Sequence, residues 1–154
     1  MGNVVGPSSS TAGHVAVFAD NTGQVIMDAG MGLPLDGTIE VGIDGLGYVP
    51  DIGVVVDIIV PYDMTITKWT LIANVAGSIV IDLWKDTYAN FPPTIVDTIA
   101  GSDKPTLAGV IINNSSALTG WNTTWNDGDI VRVNIDSVSI LTRVVLTISY
   151  TRTE

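Results

Sequence analysis

Apolar and polar residues alternate with a period of two along much of the chain, and runs with the three-and-four spacing of a helix are nearly absent. In Ile130-Val131-Arg132-Val133-Asn134-Ile135, the residues Val131, Val133 and Ile135 share one side while Arg132 and Asn134 take the other. Val144, Leu146, Ile148 and Tyr150 likewise form one face of a run closing at 151. That alternation is the pattern of antiparallel strands with one face buried. It predicts strands at 14–18, 24–27, 38–43, 53–60, 64–74, 78–84, 94–98, 130–135 and 143–151, rich in Val, Ile and Thr. The run 65–72 is less regular: Trp69 and Leu71 fall with Thr65 and Thr67, opposite Ile66 and Ile72, so both of its faces are expected to be covered.

Turn chemistry separates the runs at Pro61-Tyr62-Asp63, Ala76-Gly77, Phe91-Pro92-Pro93, Asn113-Asn114-Ser115-Ser116 and Asn126-Asp127-Gly128-Asp129. Many short strands divided in this way predict an all-β fold, an antiparallel β-sandwich or jelly-roll-like domain, over residues 49–154. Residues 1–48 differ. They hold ten of the 16 glycines and too few bulky apolar side chains to build a core of their own. They are expected to form an extended Gly-rich arm with short strands, an attachment element that needs a neighbour to lie on. Val4, Val5, Pro7, Val15, Val17, Phe18, Val25 and Ile26 are its candidate contact residues.

Composition narrows the function classes. There are 16 acidic residues against 6 basic ones, a net charge of −10. This disfavours nucleic acid, whose phosphates need Lys and Arg clusters, and anionic membrane surfaces, which need polybasic segments. Only 14% of residues are charged while 46% are hydrophobic, a balance typical of a chain that hides part of itself against partners. With no cysteine there is no disulfide framework and no thiolate nucleophile. The N-terminus has no basic residue followed by an apolar run, so no signal peptide is expected, and the longest apolar stretch is too short to span a bilayer.

No catalytic constellation is expected. His14 is the sole histidine, where a metal site needs three or four ligands. The carboxylate pairs Asp82/Asp86 and Asp127/Asp129 have the composition for glycoside hydrolysis, but Asp82 sits between Ile81 and Leu83 in a strand and Asp127-Gly128 is a turn dipeptide. The loop at 127–129 lacks the ligand spacing of a calcium loop. No cofactor is expected. The aromatics are the more informative group: Trp121 and Trp125, with Asn and Thr between them, and Tyr88 and Phe91 in a second loop, are candidates for a glycan platform or for an interface between subunits.

The segment Gly2-Asn3-Val4-Val5-Gly6-Pro7-Ser8-Ser9-Ser10-Thr11, followed by Phe18-Ala19-Asp20-Asn21-Thr22-Gly23-Gln24-Val25-Ile26-Met27, resembles one that recurs in tail-fibre and other virion proteins of tailed bacteriophages. It departs from that pattern at Ala12-Gly13 and at Ala29. Val60-Pro61-Tyr62-Asp63, Ile66-Thr67-Lys68-Trp69, Ser78 through Asp86 and Leu118-Thr119-Gly120-Trp121 resemble a domain of phage structural proteins. The resemblance implies a non-enzymatic virion protein, a homotrimer docked through its N-terminal arm on the major capsid protein or another virion protein. Its size favours a capsid decoration (cement) or head-fibre protein, assembled in the host cytoplasm; the alternative is a tail-fibre or receptor-binding adhesin for host-surface glycan.

Overall fold

A computed structural model describes residues 14–18, 26–32 and 35–153. The chain divides into two compact units, Met1–Leu35 and Asp36–Glu154. In the first, β1 (His14–Phe18) pairs antiparallel with β2 (Ile26–Gly32), with Phe18 opposite Ile26. Val15 and Val17 are exposed on β1. The expected contact residues Val4, Val5, Pro7 and Val25 lie outside the described residues.

The second unit is all-β and antiparallel. Its strands are β3 (Asp36–Asp44), β4 (Gly53–Ile59), β5 (Met64–Asp86), β6 (Thr106–Ser115), β7 (Thr124–Trp125), β8 (Ile130–Ser139) and β9 (Arg143–Arg152). They form one sheet in the order β3-β9-β5-β8-β4, with β6 and β7 also on β5. The 23-residue β5 is its spine: residues 64–73 pair with β9, and residues 78–86 pair with β8. The sheet curls around one core until β3 and β4, the two ends of the order, line a single groove through Ile39, Val41, Val55, Val56 and Ile58. Trp69, Leu71, Ile79, Ile81 and Leu83 of β5 meet Val131 and Val133 of β8 and Leu146 and Ile148 of β9 in that core.

Several expectations are corrected. The boundary expected at 48/49 moves to 35/36, because 36–44 is a full edge strand in register with β9, from Asp36 opposite Thr151 to Asp44 opposite Arg143. The runs 64–74 and 78–84 are one strand. Ala76-Gly77 is not a turn but the bend at which β5 passes from one half of the sheet to the other. A Cβ at Gly77 would stand 2.8 Å from the Ser139 carbonyl oxygen and 2.9 Å from the Leu141 nitrogen, so the close approach requires glycine. The irregular run 65–72 is explained by a bulge. The register slips between Ile66 and Lys68, Thr67 is the extra residue, and Ile66 therefore joins Trp69 and Leu71 on the buried face. Ile72 is left on the outer face, half-exposed, so the two faces are not both covered.

Two strands went unforeseen and one expected strand is a turn. β6 covers Asn113-Asn114-Ser115, part of a segment read as a turn. Residues 95–97 form a single 3-10 turn instead of a strand. There Thr94 and Asp97 cap one another: the Thr94 N–H and hydroxyl both donate to the Asp97 carboxylate, at 2.8 and 3.0 Å.

Candidate functional site

The four aromatics singled out from the sequence fall on the two stretches that flank β6, one between β5 and β6 and the other between β6 and β8. The first, between β5 and β6, carries a 3-10 turn at Tyr88–Asn90, a cis Phe91–Pro92 peptide and the capped turn at Ile95–Asp97. Tyr88 is 76% exposed and Phe91 50% exposed, and they border a hollow of about 390 Å³ with Ile130. The Arg132 guanidinium lies 5.5 Å from the Phe91 ring centroid. It is held there by a two-pronged ion pair with Asp57, at 2.7 and 2.8 Å, and also donates to the Pro93 carbonyl at 3.3 Å. The hydrogen bond from Arg132 holds the Asp57 carboxyl below the ordinary aspartate range. Beside it, the Asn90 amide and the Thr87 N–H lower the pKa of Asp86.

The second connection carries Trp121 and Trp125, and the structure separates them. Trp125 is 1% exposed and belongs to the core, where β7 pairs with Met64 and Thr65, so it offers no face to a glycan. Trp121 is half-buried against that core and donates its indole N–H to the Asp103 carbonyl at 2.9 Å. Of the four expected aromatics, only Tyr88 and Phe91 present an accessible surface together.

Sequence reasoning missed the polar cluster that holds the first connection down. Asp82 is fully buried on the face of β5 away from the main core. Its carboxylate accepts hydrogen bonds from the Thr98 hydroxyl at 2.6 Å, the Leu83 N–H at 2.9 Å and the Lys104 ammonium at 2.8 Å. Lys104 also reaches Asp136 at 2.8 Å, and Asp136 accepts from the Asn134 amide at 2.8 Å. Burial pushes the Asp82 pKa up, but Lys104 and Thr98 outweigh it, and the net position is below the ordinary value. Burial likewise opposes the charge on Lys104, yet Asp136 and Asp82 raise its pKa above the ordinary lysine range. The only trace in the sequence was a lone carboxylate between Ile81 and Leu83.

Two further carboxylates, those of Asp129 and Asp63, fasten a turn. Asp129 accepts the Lys85 ammonium at 2.5 Å and the Asn126 N–H at 3.0 Å, while Asp63 accepts the Asp127 N–H at 2.8 Å. These contacts tie the β7–β8 turn to the strand ends. Among the described residues no three His, Cys, Asp or Glu side chains cluster as metal ligands, and no helix is long and apolar enough to cross a membrane.

The outer surface of the β unit is notable for aliphatic side chains. Val54, Val55, Val56 and Ile59 are exposed on the edge strand β4, as are Leu46, Tyr48 and Ile52 in the preceding loop. Ile72, Val110, Ile111 and Ile112 are exposed where β5 and β6 bend together. Comparison with family models, with curated proteins and with solved structures finds no match to this chain.

Proposed function

We propose that the chain is a non-enzymatic structural protein of a tailed-phage virion, a homotrimeric capsid decoration or head-fibre protein assembled in the host cytoplasm. In this reading the unit beginning at Asp36 is the displayed domain, and the N-terminal segment docks it on the major capsid protein or another virion protein. The observation that carries the reading is the quantity of large aliphatic side chains left uncovered on the β unit. Contiguous apolar surface on a monomer is normally limited, and a larger amount marks contact with other subunits. The low charge content and the phage-like opening segment support the same conclusion. The test is incorporation. Tagged full-length chain is expected on purified particles by immuno-electron microscopy, and a chain lacking residues 1–30 is expected to fold and to be absent from them. Equal incorporation of the truncated chain would remove the N-terminal segment from the docking role.

A second reading, an adhesin for host-surface glycan, rests on one feature: Tyr88 and Phe91 exposed side by side next to the Arg132–Asp57 pair. An aromatic face beside fixed polar groups is the chemistry of sugar stacking. Saturable binding to host polysaccharide, lost in Tyr88→Ala with the fold intact, would favour it over decoration.

A further inference from the structure

We infer that β6 and the bend of β5 form the face through which this chain associates with a second copy of itself. The inference rests on the homo-oligomeric reading above and assigns it a surface. β6 has β5 as its only strand partner among the described residues, and from Ala108 to Asn114 every residue is exposed, on both faces of the strand. Val110, Ile111 and Ile112 are 42–57% exposed. Ile72 stands opposite Ile112, Val75 follows it on β5, and Gly77 stands opposite Val110. Ile72, Val110 and Ile112 thus share one face of an aliphatic strip along the open edge formed by β6, with Ile111 on its other face. An edge of that kind is a template for uncontrolled pairing unless something covers it.

Charge selects what covers it. The chain carries a net charge of −10, so two copies repel wherever their acidic surfaces approach. Residues 69–81 and 105–126, which contain β6 and the bend, hold no charged residue at all. A partner chosen by opposite charge would need acidic groups to meet, and this strip offers none. It offers only aliphatic side chains and unpaired backbone, and another copy of the same strip supplies both without bringing like charges together. Association of copies through it buries the edge in a closed assembly and removes the hazard of open-ended pairing.

Sedimentation velocity of the full chain over about 1–100 µM tests the assignment. The wild-type chain is expected to associate. Ile112→Asp and Ile112→Lys, which place either sign of charge in the strip, should each weaken association at least about a hundredfold. Val96→Asp, at an exposed position outside the strip, should leave it unchanged. Far-UV circular dichroism is expected to be the same for all four proteins, and Ile111→Asp provides a second probe should Ile112 variants misfold. If wild type and the strip variants associate equally, this face is wrong and the oligomeric reading stands. A wild-type chain that remains monomeric throughout overturns both.

Discussion

β9 and β6 are two ten-residue strands that pair with β5 from opposite sides, and they share little else. Along β9 every second residue, from Val144 to Tyr150, is buried, and the residues between are partly covered. Along β6 only Leu107 is buried, although Val110-Ile111-Ile112 is as apolar as anything in β9. A strand whose own chain covers one face alternates, because polar residues are selected on the other. A strand with apolar residues on both faces and no cover among the described residues is matched to a surface outside them. The first arrangement stabilises the subunit; the second is the one we propose to stabilise an assembly.

Mutations should separate the two roles. The largest expected effect is in β9: Leu146→Ala removes a fully buried side chain and should lower stability by about 3 kcal/mol at every protein concentration in urea denaturation. Ile112→Ala should shift the urea midpoint only where the wild-type chain is associated, and by less than about 0.5 kcal/mol at high dilution. An intermediate effect is expected at the cluster that pins the β5–β6 connection. Lys104→Met removes one partner of the buried Asp82 carboxylate and should cost about 2 kcal/mol.

The pH dependence of that cluster has a definite sign. The folded-state pKa of Asp82 lies below its unfolded value, so its contribution is fully present above the unfolded pKa, about 3.9, and is lost as pH falls through the lower folded value. Lys104 acts oppositely: its folded-state pKa is raised, so its contribution holds below about 10.4 and fades as pH rises through the folded value. Asp82→Asn should therefore flatten the acid limb of the stability profile, measured by urea midpoints between about pH 2 and 6. A small effect is expected at the surface pair: Asp57→Asn should change stability by less than about 1 kcal/mol, because Arg132 and Asp57 are both partly solvated.

The same contrast explains what could be read from sequence. β8, β9 and the centre of β3 were legible because their alternation is regular. β6 was not: it has no alternation, a glycine with positive φ at 109, and an Asn-Asn-Ser-Ser end that has the composition of a turn. β5 was split in two because Ala76-Gly77 has turn composition, whereas the glycine there serves a close approach between backbones. For the aromatics, Tyr88 and Phe91 lie exposed on the β5–β6 connection, where turn residues already marked a loop. Spacing alone could not separate Trp121 from Trp125, since burial depended on Trp125 pairing opposite Met64. The Asp82–Lys104–Asp136 cluster joins residues 22 and 32 positions apart, across a connection whose course no local pattern fixes.

Hydrogen exchange of β6, followed by mass spectrometry as the full chain is diluted, tests most directly whether another copy covers that strand. Amides in residues 108–114 are expected to be protected to the level of β9 when the chain is associated and to exchange rapidly on dilution, while β9 stays protected throughout. Rapid exchange of 108–114 in an assembled protein would contradict this expectation.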